Sequence, residues 1–234
     1  MPSIDSTWLL ERLVLLVPLL LSLSVHEYAH ARTALAFGDT TARDMGRVTL
    51  NPLAHLDPIG TICLVVGFFG WAKPVPVNPH YLHPPKLGDI AVSLAGPMSN
   101  LFLAVVAGLL LKAVIALAVV VGMSHAALAF VAMLIFQFAA INVCLCVFNL
   151  IPLFPLDGHH VVRELLPAWK QQHFMQWQLQ FGQKVLLAMI FGPWLLRSFM
   201  PQLYANPVLA VVLNPIGTVY HLAFGAAATI LGLG

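Results

Sequence analysis

The chain has 234 residues, of which 60% are hydrophobic and only 9% charged. A soluble globular domain carries about 25% charged residues, so a surface this poor in charge is expected to meet lipid, and a multi-spanning membrane protein is the first reading. The formal net charge is +2 and the eleven Lys and Arg are scattered, which leaves no basic stripe and argues against a nucleic-acid partner.

The first twelve residues carry acids ahead of the apolar run and no positive n-region, so they do not read as a cleaved signal. Residues 8–37 supply the roughly 20 apolar residues that a spanning helix needs, with polar groups towards the end. Residues 38–51 mix Asp39, Arg43, Asp44 and Arg47 with Thr and Val and are expected to form short strands at the membrane surface. Residues 59–71 are apolar but too short to span comfortably. Residues 72–79 hold three prolines in six positions, which rules out a regular helix and suggests a re-entrant loop or edge strand. Such backbone survives at membrane depth only where protein buries it or a wet cavity solvates it.

Residues 87–121 hold a second span, expected to break early at Gly96-Pro97. Residues 126–148 form a third, 185–199 a short fourth and 207–231 a fifth. Cys63, Cys144 and Cys146 sit in apolar surroundings and read as small buried residues. The expected fold is one integral-membrane domain over residues 1–234. It is all-α and polytopic, with about five to six transmembrane helices and a short re-entrant or β element between the first two spans. Residues 8–160 form the core and 161–234 add C-terminal helices.

Charge sets the expected orientation. If residues 8–37 end in the cytoplasm and 59–71 do not cross, then Arg32, Arg43, Arg47, Lys73, Lys86, Arg163, Lys170 and Lys184 are cytoplasmic. Only Arg12, Lys112 and Arg197 lie at the other face, in keeping with the positive-inside tendency.

His26-Glu27-Tyr28-Ala29-His30 is an HExxH motif. On a helix, residues four apart lie one turn apart on one face, so both imidazoles can reach one tetrahedral ion at about 2.0–2.1 Å. Glu27 beside them can take a proton from metal-bound water, whose pKa the ion lowers towards about 7. The run before the motif is almost wholly apolar, and ionisable groups in a membrane helix cost a few kcal/mol each unless a function holds them.

A catalytic zinc needs a third protein ligand and an open position. Nine acids make elimination practical. Asp5 and Glu11 fall near the far end of the first helix. Asp39 and Asp44 lie among arginines and are expected to pair or face solvent. Asp57 is in a turn-like stretch, Asp89 opens the next span, and Glu164 adjoins Arg163. Asp157 remains, in an apolar loop where an unpaired carboxylate is expensive. Two crossings separate it from the histidines, so it returns to the same face. His159 and His160 stay open as rival ligands.

HExxH in the first span and Leu156-Asp157-Gly158 after a later one resemble the site-2 proteases. The stretches Gly70-Trp71-Ala72-Lys73-Pro74-Val75-Pro76-Val77-Asn78-Pro79 and Ala95-Gly96-Pro97-Met98-Ser99-Asn100 resemble their minimal bacterial members, which lack PDZ and CBS domains. The resemblance runs from about His26 to Gly158. It implies an intramembrane zinc metalloprotease with one Zn2+ held by His26, His30 and Asp157, and with Glu27 as general base. Asn149 stands where the family has an asparagine thought to bind the substrate carbonyl, and an amide aimed at developing negative charge is an oxyanion-hole element. A helix C-terminal cap is the plainer reading of Asn149. His55 is either support around the metal or loop packing, and Gly96-Pro97 and Asn100 are expected to shape the helix break.

The substrate would be another membrane protein. A helix hides its carbonyls, so substrate must be extended, and Val75, Val77 and Asn78 are expected to pair with it by strand addition. The setting would be the bilayer of a bacterial inner membrane, and the oligomeric state is open. A membrane metal transporter or sensor is the alternative. It would need ionisable residues on several spans, and acids are absent from 101–148 and after Glu164. A scaffold that has lost catalysis should lack Glu27 or a ligand, and none is missing.

Overall fold

A computed structural model describes residues 6–66, 70–200 and 202. The first expected span is helix α1, Ser6–Ala36, about 46 Å long at 1.5 Å per residue. Pro18 lies inside it. The Ser22 hydroxyl donates to the Pro18 carbonyl at 2.7 Å and that of Ser24 to the Leu20 carbonyl at 2.6 Å, so both hydroxyls are satisfied within the apolar helix.

Residues 38–51 do not form strands. Buried Asp39 accepts from the Thr41 backbone N–H at 2.9 Å and from its hydroxyl at 2.5 Å, an Asx-type contact that starts a turn instead. Helix α2, Thr41–Asp44, follows, and Gly46 at φ 68° ends it. Helices α3, Pro52–His55, and α4, Pro58–Val66, come next. The nine described residues of α4 cover about 14 Å, short of a bilayer's thickness.

Residues 70–78 are an extended strap. It carries one antiparallel bridge, Leu56 to Ala72, and no strand is present among the described residues. Side chains and backbone of the body hold it instead. The Lys73 N–H donates to the His55 carbonyl at 2.8 Å, and Arg47 Nη2 donates to the Lys73 carbonyl at 2.6 Å.

Helix α5 runs without a break from Pro85 to Val121, which corrects the expectation at Gly96-Pro97. Proline removes a donor and crowds the carbonyl four residues back, but a packed bundle absorbs that loss, and Pro97 is fully buried. Gly122 at φ 66° closes α5, and the Ser124 hydroxyl accepts from the Ala127 N–H to open α6, His125–Asn149. The α5–α6 hairpin buries Ala104, Ala107 and Leu111 against Ala139, Ala140 and Val143. Small residues let membrane helices approach closely. Helix α1 packs on the same hairpin.

Helix α7, Gly158–Leu165, is short. Helix α8, Ala168–Trp177, continues through a π-turn at Gln178–Gly182 into α9, Gln183–Phe199. The expected fourth span is thus the second half of a 32-residue arm. Among the described residues, Pro85–Val121, His125–Asn149 and Ala168–Phe199 are long and apolar enough to cross a membrane. Their outward faces are apolar, as at Phe102, Leu109, Val120 and Trp194. Residues 207–231, expected as a further span, lie outside the described residues.

Candidate metal centre

Two imidazoles one turn apart on α1 meet a carboxylate from the loop after α6. His26 Nε2 and His30 Nε2 lie 3.0 Å apart. Asp157 Oδ2 is 3.3 Å from the first and 3.4 Å from the second. Four donors at 2.0–2.1 Å from a tetrahedral ion stand about 3.3–3.4 Å from each other, so this triangle has the size that such an ion requires. These three are the metal-capable group found among the described residues.

The donor chemistry fits an ion as well. His30 Nδ1 lies 2.7 Å from the Val92 carbonyl. A carbonyl only accepts, so His30 is protonated at Nδ1, and the neutral ring then offers its Nε2 lone pair to a metal. Asp157 Oδ2 is buried and has no hydrogen-bond partner. Asp157 is the N-cap of α7 but makes no capping bond, although an N-cap carboxylate ordinarily accepts from the first turn. A lone pair and a carboxylate oxygen facing one point repel each other, and either a metal ion or a proton between them relieves it; the triangle's size suits the metal.

The surroundings explain how these groups are held. A Cβ on Gly96 would overlap the imidazoles of both His26 and His30, so α5 can pass this close only with glycine there. Gly158 is similarly constrained, because a Cβ would run into the Leu150 and Ile151 carbonyls. Buried Gln178, in the π-turn, clamps the Asp157 loop: it accepts from the Phe154 N–H at 2.9 Å and donates to the Pro152 carbonyl at 2.7 Å. Arg163 on α7 donates to buried Asp89 on α5 at 2.7 Å and to Glu164 at 2.9 Å. The roles of Gly158, Gln178 and the Arg163–Asp89 pair were not expected; a buried acid on α5 needs a cationic partner, and Asp89 was the signal that could have found Arg163.

The rival ligands point elsewhere. His159 Nδ1 lies against the Leu156 carbonyl, and burial pushes its pKa down to about 4. His160 faces Asp89 at 3.5 Å. Asp44 pairs with Arg43 at 2.9 Å, but Asp39, expected to pair with arginine or face solvent, is fully buried on Thr41 and the Asn78 N–H.

Glu27 is next to the triangle, and its Oε2 accepts from the Val75 N–H at 2.9 Å. Val75 is therefore the strap residue nearest the chemistry. Val77 packs on Ala34, Leu82 and Val92, and Asn78 caps the turn at Pro79–Tyr81 through the His80 N–H. Both are engaged within the fold. Asn149 does not join the cluster; its amide donates to the Leu145 carbonyl at 3.0 Å. His55 does not touch the three ligands and bonds the Thr49 carbonyl at 2.8 Å. It lines a small apolar cavity of about 70 Å³ that also touches Leu20 and Leu23 of α1, Trp71 of the strap and Leu145 of α6.

Residues 111–193 match the sequence profile described as Peptidase family M50, a stretch that holds Asn149 and Asp157 but not the histidine pair. Over 183 residues the chain is 42% identical to a Bacillus subtilis protein that carries the provisional name zinc metalloprotease YwhC, covering 76% of this chain and 80% of that relative. It is 32% identical over 191 residues to the Rip2 protein of Mycolicibacterium smegmatis, and 31% over 189 residues to that of Mycobacterium tuberculosis, both also named provisionally as zinc metalloproteases. Each of these two alignments covers 79% of this chain and 69% of the relative. No solved structure matches the chain.

Proposed function

The chain belongs to peptidase family M50, and from that premise we propose that it is an intramembrane zinc endopeptidase of the site-2 protease type, cutting transmembrane or membrane-associated proteins near the cytoplasmic face of a bacterial inner membrane. The observation that carries this reading is the triangle of His26, His30 and Asp157 with Glu27 beside it. One zinc per chain is the proposed cofactor. When bound, it supplies Lewis-acid polarisation of a carbonyl and a lowered pKa for water.

The chain's own residues do the rest. Glu27 receives a proton at its carboxylate and returns it to the leaving amine. Its bond to the Val75 N–H fixes the carboxylate and ties it to the strap. The strap offers extended backbone along which an unwound substrate can lie, with Val75 closest and with Val77 and Asn78 anchoring the segment. Apolar substrate side chains have the cavity beside Leu23 to enter. Asn149, released from the Leu145 carbonyl, donates to negative charge developing on the substrate oxygen.

The test is Glu27→Gln in purified protein reconstituted in nanodiscs. We expect one bound zinc per chain as in wild type, with loss of at least about a hundredfold in cleavage of a membrane-protein substrate, the lower range for removing a general base. A Glu27→Gln protein that cuts at the wild-type rate removes the proposed mechanism. A wild-type protein that holds no divalent ion removes the function.

A further inference from the structure

His26 differs from His30 in what orients it. His30 faces a backbone carbonyl, whose polarity is fixed. His26 Nδ1 faces the side-chain amide of Asn100 at 2.6 Å, and an amide can turn either its oxygen or its nitrogen to the ring. Which end it presents decides the ring's tautomer. With oxygen forward, His26 carries its proton on Nδ1 and leaves Nε2 bare for a metal. With nitrogen forward, the proton moves to Nε2 and blocks the donor atom.

The structure removes the choice through a chain of bonds across three helices. Asn142 on α6 lies 2.8 Å from the Phe138 carbonyl and 2.8 Å from the Ser22 hydroxyl. The Phe138 carbonyl only accepts, so Asn142 must turn its nitrogen there. The Ser22 hydroxyl spends its one proton on the Pro18 carbonyl, so towards Asn142 it also accepts. The oxygen of Asn142 is thereby left facing Asn100, at 2.9 Å. Asn100 must answer with its nitrogen and turn its oxygen to His26. Asn100, Asn142 and Ser22 are all fully buried, so no water competes for these bonds.

We propose that Asn142 and Ser22 are positioning residues. They read the fixed polarity of two helix carbonyls, Pro18 and Phe138, and pass it through Asn100 to set His26 as the Nδ1–H tautomer with Nε2 free. The consequence for zinc rests on the function proposed above. The tautomer itself does not.

The experiment uses full-length protein in nanodiscs, labelled with 15N in histidine, with imidazole tautomers read by NMR in metal-free protein and zinc affinity read by chelator competition. In Asn142→Leu, Asn100 loses its 2.9 Å partner and keeps only a long 3.4 Å bond from its nitrogen to the Ser22 backbone carbonyl. We expect a mixed tautomer at His26, an unchanged Nδ1–H signal at His30, and zinc affinity lower by about tenfold to a hundredfold, the range for outer-shell partners of metal-bound histidine. Ser22→Ala should fall by no more than about threefold, because a carbonyl still orients Asn142. In Asn100→Asp/Asn142→Leu the carboxylate accepts from His26 unaided, and both the tautomer and the affinity should recover. Asn142→Ser serves if the leucine variant does not fold. The proposal is overturned if breaking the chain at Asn142 leaves His26 uniformly Nδ1–H, if His30 changes along with it, or if Asn100→Asp brings no recovery. A wild-type protein that shows the fixed tautomer but binds no zinc would leave the polarity chain standing and remove the protease.

Discussion

A methyl group at position 96 measures how closely α5 presses on the two imidazoles. The Cβ of an alanine there would overlap both rings, so Gly96→Ala must shift α5 or the histidines. We expect a loss of about 1–3 kcal/mol in stability, as for other overpacked sites, together with zinc affinity lower by more than about tenfold, since ligand geometry is disturbed. Gly192→Ala on α9 is the control. Nothing lies within 4 Å of its added carbon, so the exchange should stabilise by about 0.5–1 kcal/mol through helix propensity alone. Denaturant unfolding in detergent and chelator competition read the two quantities. At this scale the sequence was legible where a cost had a single way out. His26, His30 and Asp157 are ionisable groups in apolar stretches, and burial without a partner is expensive enough to demand one. The same cost applied to Asn100 and Asn142 would have pointed to their network. Asn142 reads instead as one of two amides, with Gln137, in a long apolar run, because an amide has no spacing rule that marks its partner.

Among elements, the strap and α7 carry the functional geometry without belonging to the helical core. The strap is tied to Glu27 by one backbone donor, the Val75 N–H. Val75→Pro deletes that donor while leaving the three ligands untouched. Zinc content should therefore hold while turnover drops by about tenfold or more, the scale of one lost charge-assisted bond; equal turnover would show that Glu27 needs no such tie. Helix α7 is fixed by Arg163 on buried Asp89. Arg163→Leu leaves that carboxylate with only His160, 3.5 Å away, and should destabilise by about 1.5–3 kcal/mol, the scale of a lost hydrogen bond to a charged group, whereas Asp89→Leu/Arg163→Leu should regain most of it, as buried pairs do when both partners go. Thermal unfolding of the set decides this. Prolines announced the strap's irregularity, but not its mode of attachment, since Arg47 and Asp39 reach it from a segment that read as strands. Local side-chain bonds at Asp39 won there over β propensity.

The described residues form a helical hairpin of α5 and α6 with α1 packed on it and α7 on α5, and the C-terminal arm is attached through Gln178 to the loop before Asp157. If α1 ends in the cytoplasm and α4 stays short of crossing, the α5–α6 turn lies outside and the strap inside. In a cysteine-free background, Ser124→Cys should react with a membrane-impermeant maleimide on intact cells, and Lys73→Cys only after permeabilisation. The reverse pattern would invert the proposed orientation. The fold class was legible in composition alone, because lipid-facing apolar surface needs no partner to be recognised. The length of the C-terminal arm was not, since its polar first half, Ala168–Trp177, hides continuity that only the backbone reveals.

Asp157 lies beyond both hairpin helices, while the histidines lie before them. During synthesis the ribosome delivers two thirds of the cage early and withholds the last corner until α5 and α6 have been made. For the proposed protease, a nascent chain therefore lacks one proposed ligand while it threads into the bilayer: assembly itself would act as the safety catch, released only when the hairpin has folded the missing carboxylate back to the start.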